Sequence, residues 1–149
     1  MAYYGGNSSA VAPLLTDGVV QLCGTGGAFA AIKADGSVVT WGMADYGGNS
    51  SAVAPLLTVG VAQVCGTGGA FAAIKADGSV VTWGGADYGG NSTAVAPLLE
   101  EGVVQVGGTS GAFAAMEADG SVVTWGGADH GGNSSAVAPL LTEGVVQVY

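Results

Sequence analysis

The stretch AFAAIKADGSVVTWG at residues 28–42 decides the fold. Apolar and β-branched residues flank the pair Asp35-Gly36, and this pair is favoured in two-residue type I′ turns, which need positive φ at both central residues. The stretch therefore predicts a β-hairpin with a type I′ turn. The same hairpin returns at 70–84 and, with Met116 and Glu117 as its only substitutions, at 112–126. The predicted turn residues are Asp35, Gly36, Asp77, Gly78, Asp119 and Gly120.

The hairpin belongs to a longer unit, because the whole chain repeats with a period of 42 residues. We divide the single array into repeats at 5–46, 47–88 and 89–130, followed by a partial repeat at 131–149. The first two repeats differ at only four positions, so the copies are recent duplications or were made alike deliberately. A period of this length is typical of solenoids and propellers, in which each unit buries its apolar face against its neighbours.

Two further segments of each repeat read as strands. Residues 18–23, GVVQLC, have the valine-rich pattern of a buried strand, and residues 9–15, SAVAPLL, contain Pro13, which an edge strand accepts. With the hairpin they predict four strands per repeat. The strand faces carry mostly small residues, so we expect the aromatic side chains to fill the gaps between units as structural core. These side chains are Phe29, Trp41, Phe71, Trp83, Phe113 and Trp125.

The charge and composition exclude several classes of partner. Two basic residues against 11 acidic ones give a net charge of −9, which phosphate backbones and anionic membrane surfaces would repel. No apolar run approaches the roughly 20 residues that cross a bilayer, and no basic-then-apolar leader precedes the first repeat, so we expect a soluble mature chain or a fragment of one. With 49% hydrophobic and 9% charged residues, such a chain is expected to bury surface by self-association.

No residues combine into a catalytic site. His130, the only histidine, stands where the sister repeats have Tyr46 and Tyr88, so it is interpreted as structural and not as a general base. There is no serine, histidine and acid combination and no phosphate-binding loop that ends in Lys-Ser or Lys-Thr. We therefore predict that the chain is not an enzyme, and we predict no cofactor.

Several repeated polar residues have a structural interpretation beside a functional one. The aspartates of the loop after each tryptophan, Asp45, Asp87 and Asp129, fit turn chemistry better than calcium binding. Cys23 and Cys65 share one repeat position that Gly107 fills in the third copy, which favours small buried residues over a disulfide. One N-glycosylation acceptor pattern falls in every repeat and counts as a single observation. The acceptor residues are Asn7, Asn49, Asn91 and Asn133.

The order of residues 18–24, 28–32, 35–42 and 46–48 resembles the repeat of the regulator of chromosome condensation family. The match runs through every copy. The resemblance implies a β-propeller whose blades are four-stranded sheets. The best-known activity of that family, nucleotide exchange on a small GTPase with chromatin binding, depends on loops and basic surfaces that this sequence lacks, and exchange regulation stays only as an alternative by analogy.

The fold expected is therefore all-β, with about three and a half tandem blades closed by oligomerisation, and a β-solenoid as the alternative. The leading functional hypothesis is a non-catalytic scaffold whose propeller is completed by a second chain, a dimer being favoured, and which binds proteins or other ligands through its loops. Neither nucleic acid nor membrane is an expected partner. The alternatives are a fibre-forming structural polymer, an engineered or consensus propeller fragment, and the exchange regulator.

Overall fold

The structure, a computed structural model, describes residues 7–134, 141 and 144–148. Within them each full repeat forms one antiparallel sheet of three strands in sequence order. The first sheet contains β1 (Val19–Gly24), β2 (Ala28–Lys33) and β3 (Val38–Gly42); the second contains β4 (Val61–Gly66), β5 (Ala70–Lys75) and β6 (Val80–Gly84); the third contains β7 (Val103–Gly108), β8 (Ala112–Glu117) and β9 (Val122–Gly126).

The all-β prediction of tandem blades is confirmed, whereas the count of four strands per repeat is wrong. The segments predicted as outer strands are 3-10 helices at Ser9–Leu14, Ser51–Leu56 and Thr93–Leu98. Asn49 Oδ1 accepts a hydrogen bond from Ser51 N–H at 3.0 Å and starts the helical turn. The fixed φ of Pro55 suits a 3-10 helix as well as it suits an edge strand, so proline did not distinguish the two.

The predicted hairpins form, but their turns are not type I′. Gly36 has φ of 80°, and no residue other than glycine has positive φ in the described part of the chain, so Asp35 cannot adopt the first position of that turn. Instead Gly36 N–H donates to Lys33 O, and Asp35 Oδ1 accepts hydrogen bonds from the N–H and hydroxyl of Ser37 at 2.9 and 2.6 Å. These side-chain bonds favour a longer turn that ends in a left-handed glycine.

The two faces of each sheet differ in side-chain size. We call the face that carries the phenylalanine and the tryptophan the leading face and the opposite one the trailing face. In the second and third sheets the leading face packs on the preceding sheet. In the second sheet the leading face carries large side chains, and the trailing face carries Ala70, Ala72 and Ile74. The large side chains of the second leading face are Val61, Val64, Phe71, Val81 and Trp83.

Each junction packs a leading face of large side chains on a trailing face made mostly of alanine. The trailing face of the first sheet, with Ala28, Ala30 and Ile32, meets the large residues of the second sheet in one buried cluster. A second cluster joins the second and third sheets in the same way. The strands of each repeat thus pair among themselves in a separate sheet. A β-solenoid, the alternative architecture, would pair strands between repeats.

Glycine and tryptophan fix the distance between neighbouring sheets. A Cβ atom on Gly47 would lie 2.5 Å from Cδ2 of Phe71, so only glycine allows the ring to pack on this loop. The carbonyl oxygen of Gly47 accepts a hydrogen bond from Trp83 Nε1 at 3.1 Å, and Gly89 does the same for Trp125 at 3.0 Å. The aromatic side chains of the second and third repeats therefore lie between the units.

Candidate interaction surfaces

The leading face of the first sheet is far more open than its counterparts. Leu22 is 61% exposed and Phe29 is 39% exposed, whereas the corresponding Val64 and Phe71 are 4% and 0% exposed. The prediction that Phe29 is a core residue is therefore wrong. The ring still stacks on Trp41 with 5.5 Å between centroids, so its position is fixed although it is open to solvent. The difference arises because burial of this face depends on a preceding unit.

The trailing face of the third sheet is partly covered by residues 144–148. Val145 N–H donates to Gly120 O at 3.0 Å, and the Gln105 side-chain amide both donates to Val148 O and accepts from Val148 N–H, at 2.8 and 3.2 Å. Gly131, which corresponds to the buried Gly47 and Gly89, is exposed. The segment therefore covers only part of the face that a complete next sheet would cover.

A shallow cleft lies between the hairpin turn and a six-residue 3-10 helix in each repeat. The clefts measure about 390, 400 and 520 Å³ from the first repeat to the third. Exposed leucines line them, with Leu14, Leu56 and Leu98 at 51, 50 and 55% exposure. Large apolar side chains repeated on a surface are typical of sites that contact other proteins.

The third cleft differs from the others in charge. Lys33 and Lys75 line the first two clefts, whereas Glu101, Glu117 and Asp119 line the third. Desolvation, together with the negative charges of Asp119 and Glu101, raises the pKa of Glu117. The third hairpin is thus a site of unbalanced negative charge.

The tyrosines and the histidine at one repeat position form a row across the loops that follow β3, β6 and β9. The rings of Tyr46 and Tyr88 lie 6.3 Å apart, and Gly69 gives Tyr88 room, since a Cβ atom there would lie 2.7 Å from the ring. His130 Nδ1 lies 3.0 Å from Ser110 Oγ, and an open cleft of about 480 Å³ separates its loop from that of Tyr88. The carboxylates of Asp87 and Asp129 line the same cleft, and the structural interpretation of His130 stays a prediction.

The predicted glycosylation residues share one structural position. Asn7, Asn49, Asn91 and Asn133 are exposed, and the first three precede the six-residue 3-10 helices. The Oδ1 atoms of Asn7 and Asn91 each accept two hydrogen bonds from the residue two positions later. These asparagines therefore have a structural role that needs no attached sugar.

The two cysteines lie at successive junctions, Cys23 against the first buried cluster and Cys65 against the second. Both thiols are free and half-buried, and burial raises the pKa of each. Cys23 Sγ lies 3.3 Å from where a Cβ of Gly66 would stand, so the thiol fills space at the next strand. This placement agrees with the interpretation as small buried residues.

The loop aspartates Asp45, Asp87 and Asp129 lie exposed in short 3-10 helices, and the turn aspartates bind Ser37, Ser79 and Ser121. Hydrogen bonds from those serines lower the pKa of Asp35, Asp77 and Asp119. Across the ranges that the structure describes, no three side chains of the metal-binding types come together. The same ranges contain no helix with the length and apolarity of a membrane span.

Solved structures share this arrangement of sheets. Human WBSCR16 is 22% identical over 76% of this chain with a TM-score of 0.56, and the ectodomain of the Physcomitrella patens receptor kinase CR4 is 18% identical over 85% with a TM-score of 0.55. Prp20p from Saccharomyces cerevisiae, the yeast RCC1, is 15% identical over 72% with a TM-score of 0.50. The chain folds as RCC1-like β-propeller repeats.

The likeness is one of fold. The chain spans 35%, 34% and 30% of the lengths of these three structures. No protein-family model and no curated protein matches the chain. Prp20p has been studied for its binding to Gsp1p and histones, and it has been crystallised with Kap60.

Sequence patterns did not predict the exposed leading face of the first sheet or the charge of the third cleft. The substitution of glutamate for lysine at position 117 was visible, but only the packing places it beside Glu101 and Asp119. Exposure of Leu22 has no local signal at all, because the segments around it and around Val64 are nearly identical.

Proposed function

We propose that the chain is a non-catalytic propeller-type scaffold that associates with itself and contacts other proteins through its loops. The observation that carries the proposal is the exposed leading face of the first sheet, where Leu22 and Phe29 occupy positions that are buried in the other two sheets. Exposed apolar surface of this kind favours association, because its burial removes apolar area from water.

The loop half of the proposal is supported by the row of exposed leucines beside the clefts. Prp20p, which is similar in fold, was crystallised with a protein partner, and this supports protein binding as a use for such a surface. The net charge of −9 favours partners with basic segments.

Sedimentation velocity over a range of protein concentrations tests the self-association. We expect the average mass to rise with concentration, and we expect Leu22→Asp to hold the chain as a monomer. Val20→Asp is the matched control, because Val20 is exposed on the same strand and its counterparts Ala62 and Val104 stay exposed in the sheets that are covered. A monomer at every concentration would refute this part of the proposal.

Selection of a phage-displayed random peptide library on the folded chain tests the loop surface. We expect enrichment of basic peptides that also carry large apolar residues. The double variant Leu56→Gln with Leu98→Gln should no longer bind the selected peptides. Enrichment that is unchanged by this variant would place any protein-binding surface elsewhere.

A further inference from the structure

Residues 144–148 occupy a position on the third sheet that elsewhere belongs to the first strand of the next repeat. The sequence of this segment, GVVQV, matches residues 18–22, GVVQL, except at the last position. Val145 N–H donates to Gly120 O at 3.0 Å, as Val61 N–H donates to Gly36 O at 3.0 Å in the first junction. The segment and the strand β1 therefore fit the same surface.

The space beside this segment is shaped for an aromatic ring. Gly47 and Gly89 are covered by Phe71 and Phe113, whose rings lie 2.5 Å from where a glycine Cβ would stand. At Gly131 the nearest atom to the corresponding point is Thr109 Cγ2 at 4.0 Å. In a second copy of the chain, the exposed Phe29 has the same place in its sheet as Phe71 and Phe113.

The charges at the two ends are complementary. In the first junction the hairpin glycine Gly36 touches Gly60, and the Lys75 Cε atom lies 3.7 Å from the Cβ position of Gly60. The third hairpin carries Glu117 and Asp119. No atom lies within 4 Å of the point where a Cβ of Gly144 would stand. Lys33 lies over Gly18 at 3.5 Å, so the first sheet of another copy would bring a cation to this acidic hairpin.

We propose that the trailing face of the third sheet is the docking site for the leading face of the first sheet of a second copy, and that residues 144–148 compete with it for this site. The inference rests on the self-association proposed above and specifies its geometry. The contact joins different surfaces of the two copies, so it is heterologous and can close a ring or extend. The backbone bond from Gly26 N–H to Gly68 O, 2.8 Å at the first junction, would recur from Ser110 N–H to Gly26 O of the second copy.

The competition raises the protein concentration at which two copies associate. The segment 144–148 is tethered to the face that it covers, and a tether of this kind acts like a ligand at roughly millimolar concentration. A second copy must therefore bring additional contacts, and Phe29 at Gly131 and Lys33 at Glu117 are those contacts. At low concentration the segment prevails, and at high concentration the second copy replaces it.

A charge exchange between the two ends tests the docking geometry. We expect Lys33→Glu alone to weaken association about fivefold and the double variant Lys33→Glu with Glu117→Lys to restore it, as opposed charges at an interface do. Lys75→Glu makes the same change at an internal junction and should leave association unchanged. Sedimentation velocity at low ionic strength gives the association constants.

The outcomes separate the two proposals. Failure of the wild-type chain to associate at any concentration would overturn both. Association that Lys33→Glu and Lys75→Glu weaken equally, without recovery in the double variant, would overturn the head-to-tail docking and leave self-association standing.

Variants in the segment test the competition. We expect Val145→Asp with Val148→Asp to release the segment and to strengthen association roughly tenfold, because burying part of a charged side chain at these half-buried positions is unfavourable. Val146→Asp is the control, since Val146 is 87% exposed and should have no effect. Unchanged or weaker association in the double variant would overturn the competition. Circular dichroism confirms that each variant keeps its sheets.

Discussion

The first and second sheets contain almost the same residues and differ in what surrounds them. Phe29 and Phe71 lie in identical strands, yet the first is 39% exposed and the second is fully buried. Trp83 Nε1 bonds to the Gly47 carbonyl of the preceding repeat. The comparison shows that each repeat supplies half of a core and that the preceding unit supplies the other half.

Truncation of the two phenylalanines should show the largest difference. We expect Phe71→Ala to lower the free energy of unfolding by about 3–5 kcal/mol, because it leaves a cavity between two sheets. Phe29→Ala should cost about 1 kcal/mol, since its ring is already partly hydrated. Urea denaturation of both variants at low protein concentration measures the two values, and equal losses would contradict the comparison.

The glycines on which the rings pack provide a second test. Gly47→Ala places a Cβ atom 2.5 Å from Phe71 and also strains a residue with φ of 101°, so we expect a loss of about 3 kcal/mol. Gly131→Ala carries the same backbone strain at φ of 105° but meets open space, and we expect about 1 kcal/mol. Thermal denaturation separates the packing contribution from the strain.

The turn aspartates should behave alike in all three repeats. Hydrogen bonds from serine lower the pKa of Asp35, Asp77 and Asp119 in the folded chain, so these bonds stabilise the fold above the unfolded pKa and are lost as pH falls through the folded value. We expect stability to decline below about pH 4 and the triple Asp→Asn variant to decline less. Urea midpoints from pH 7 to pH 3 measure the effect, and parallel curves would contradict it.

Glu117 should show the smallest effect. Its raised pKa means that the charged carboxylate opposes folding, so this cost is absent below the unfolded pKa and appears as pH rises through the folded value. Because the side chain is only partly buried, we expect Glu117→Gln to stabilise the chain at pH 7 by only a few tenths of a kcal/mol. Near pH 3 the same substitution should leave the free energy of unfolding unchanged. A stabilisation at pH 3 equal to that at pH 7 would contradict the conclusion that the charge of Glu117 opposes folding.

Local patterns in the sequence predicted the hairpins, the small faces and the repeat, because turn residues and alternating apolar positions act within a few residues. They did not predict the 3-10 helices, where Asn49 Oδ1 accepts a hydrogen bond from Ser51 N–H. Pro55 fits a 3-10 helix and an edge strand equally well. The turn type depended on the bonds from Ser37 to Asp35, which compete with the two-residue turn. The exposure of Leu22 could not be predicted, because it is decided by a neighbouring unit and not by the residues around it.

Amide hydrogen exchange of β1 and β4 tests most directly the proposal that a second copy covers the leading face of the first sheet. Protection in β4 should be high at every concentration, whereas β1 should gain protection between about 1 µM and about 200 µM protein, a range suited to a weak association. Protection in β1 that equals that of β4 at the lowest concentration, or that does not change with concentration, would contradict the account.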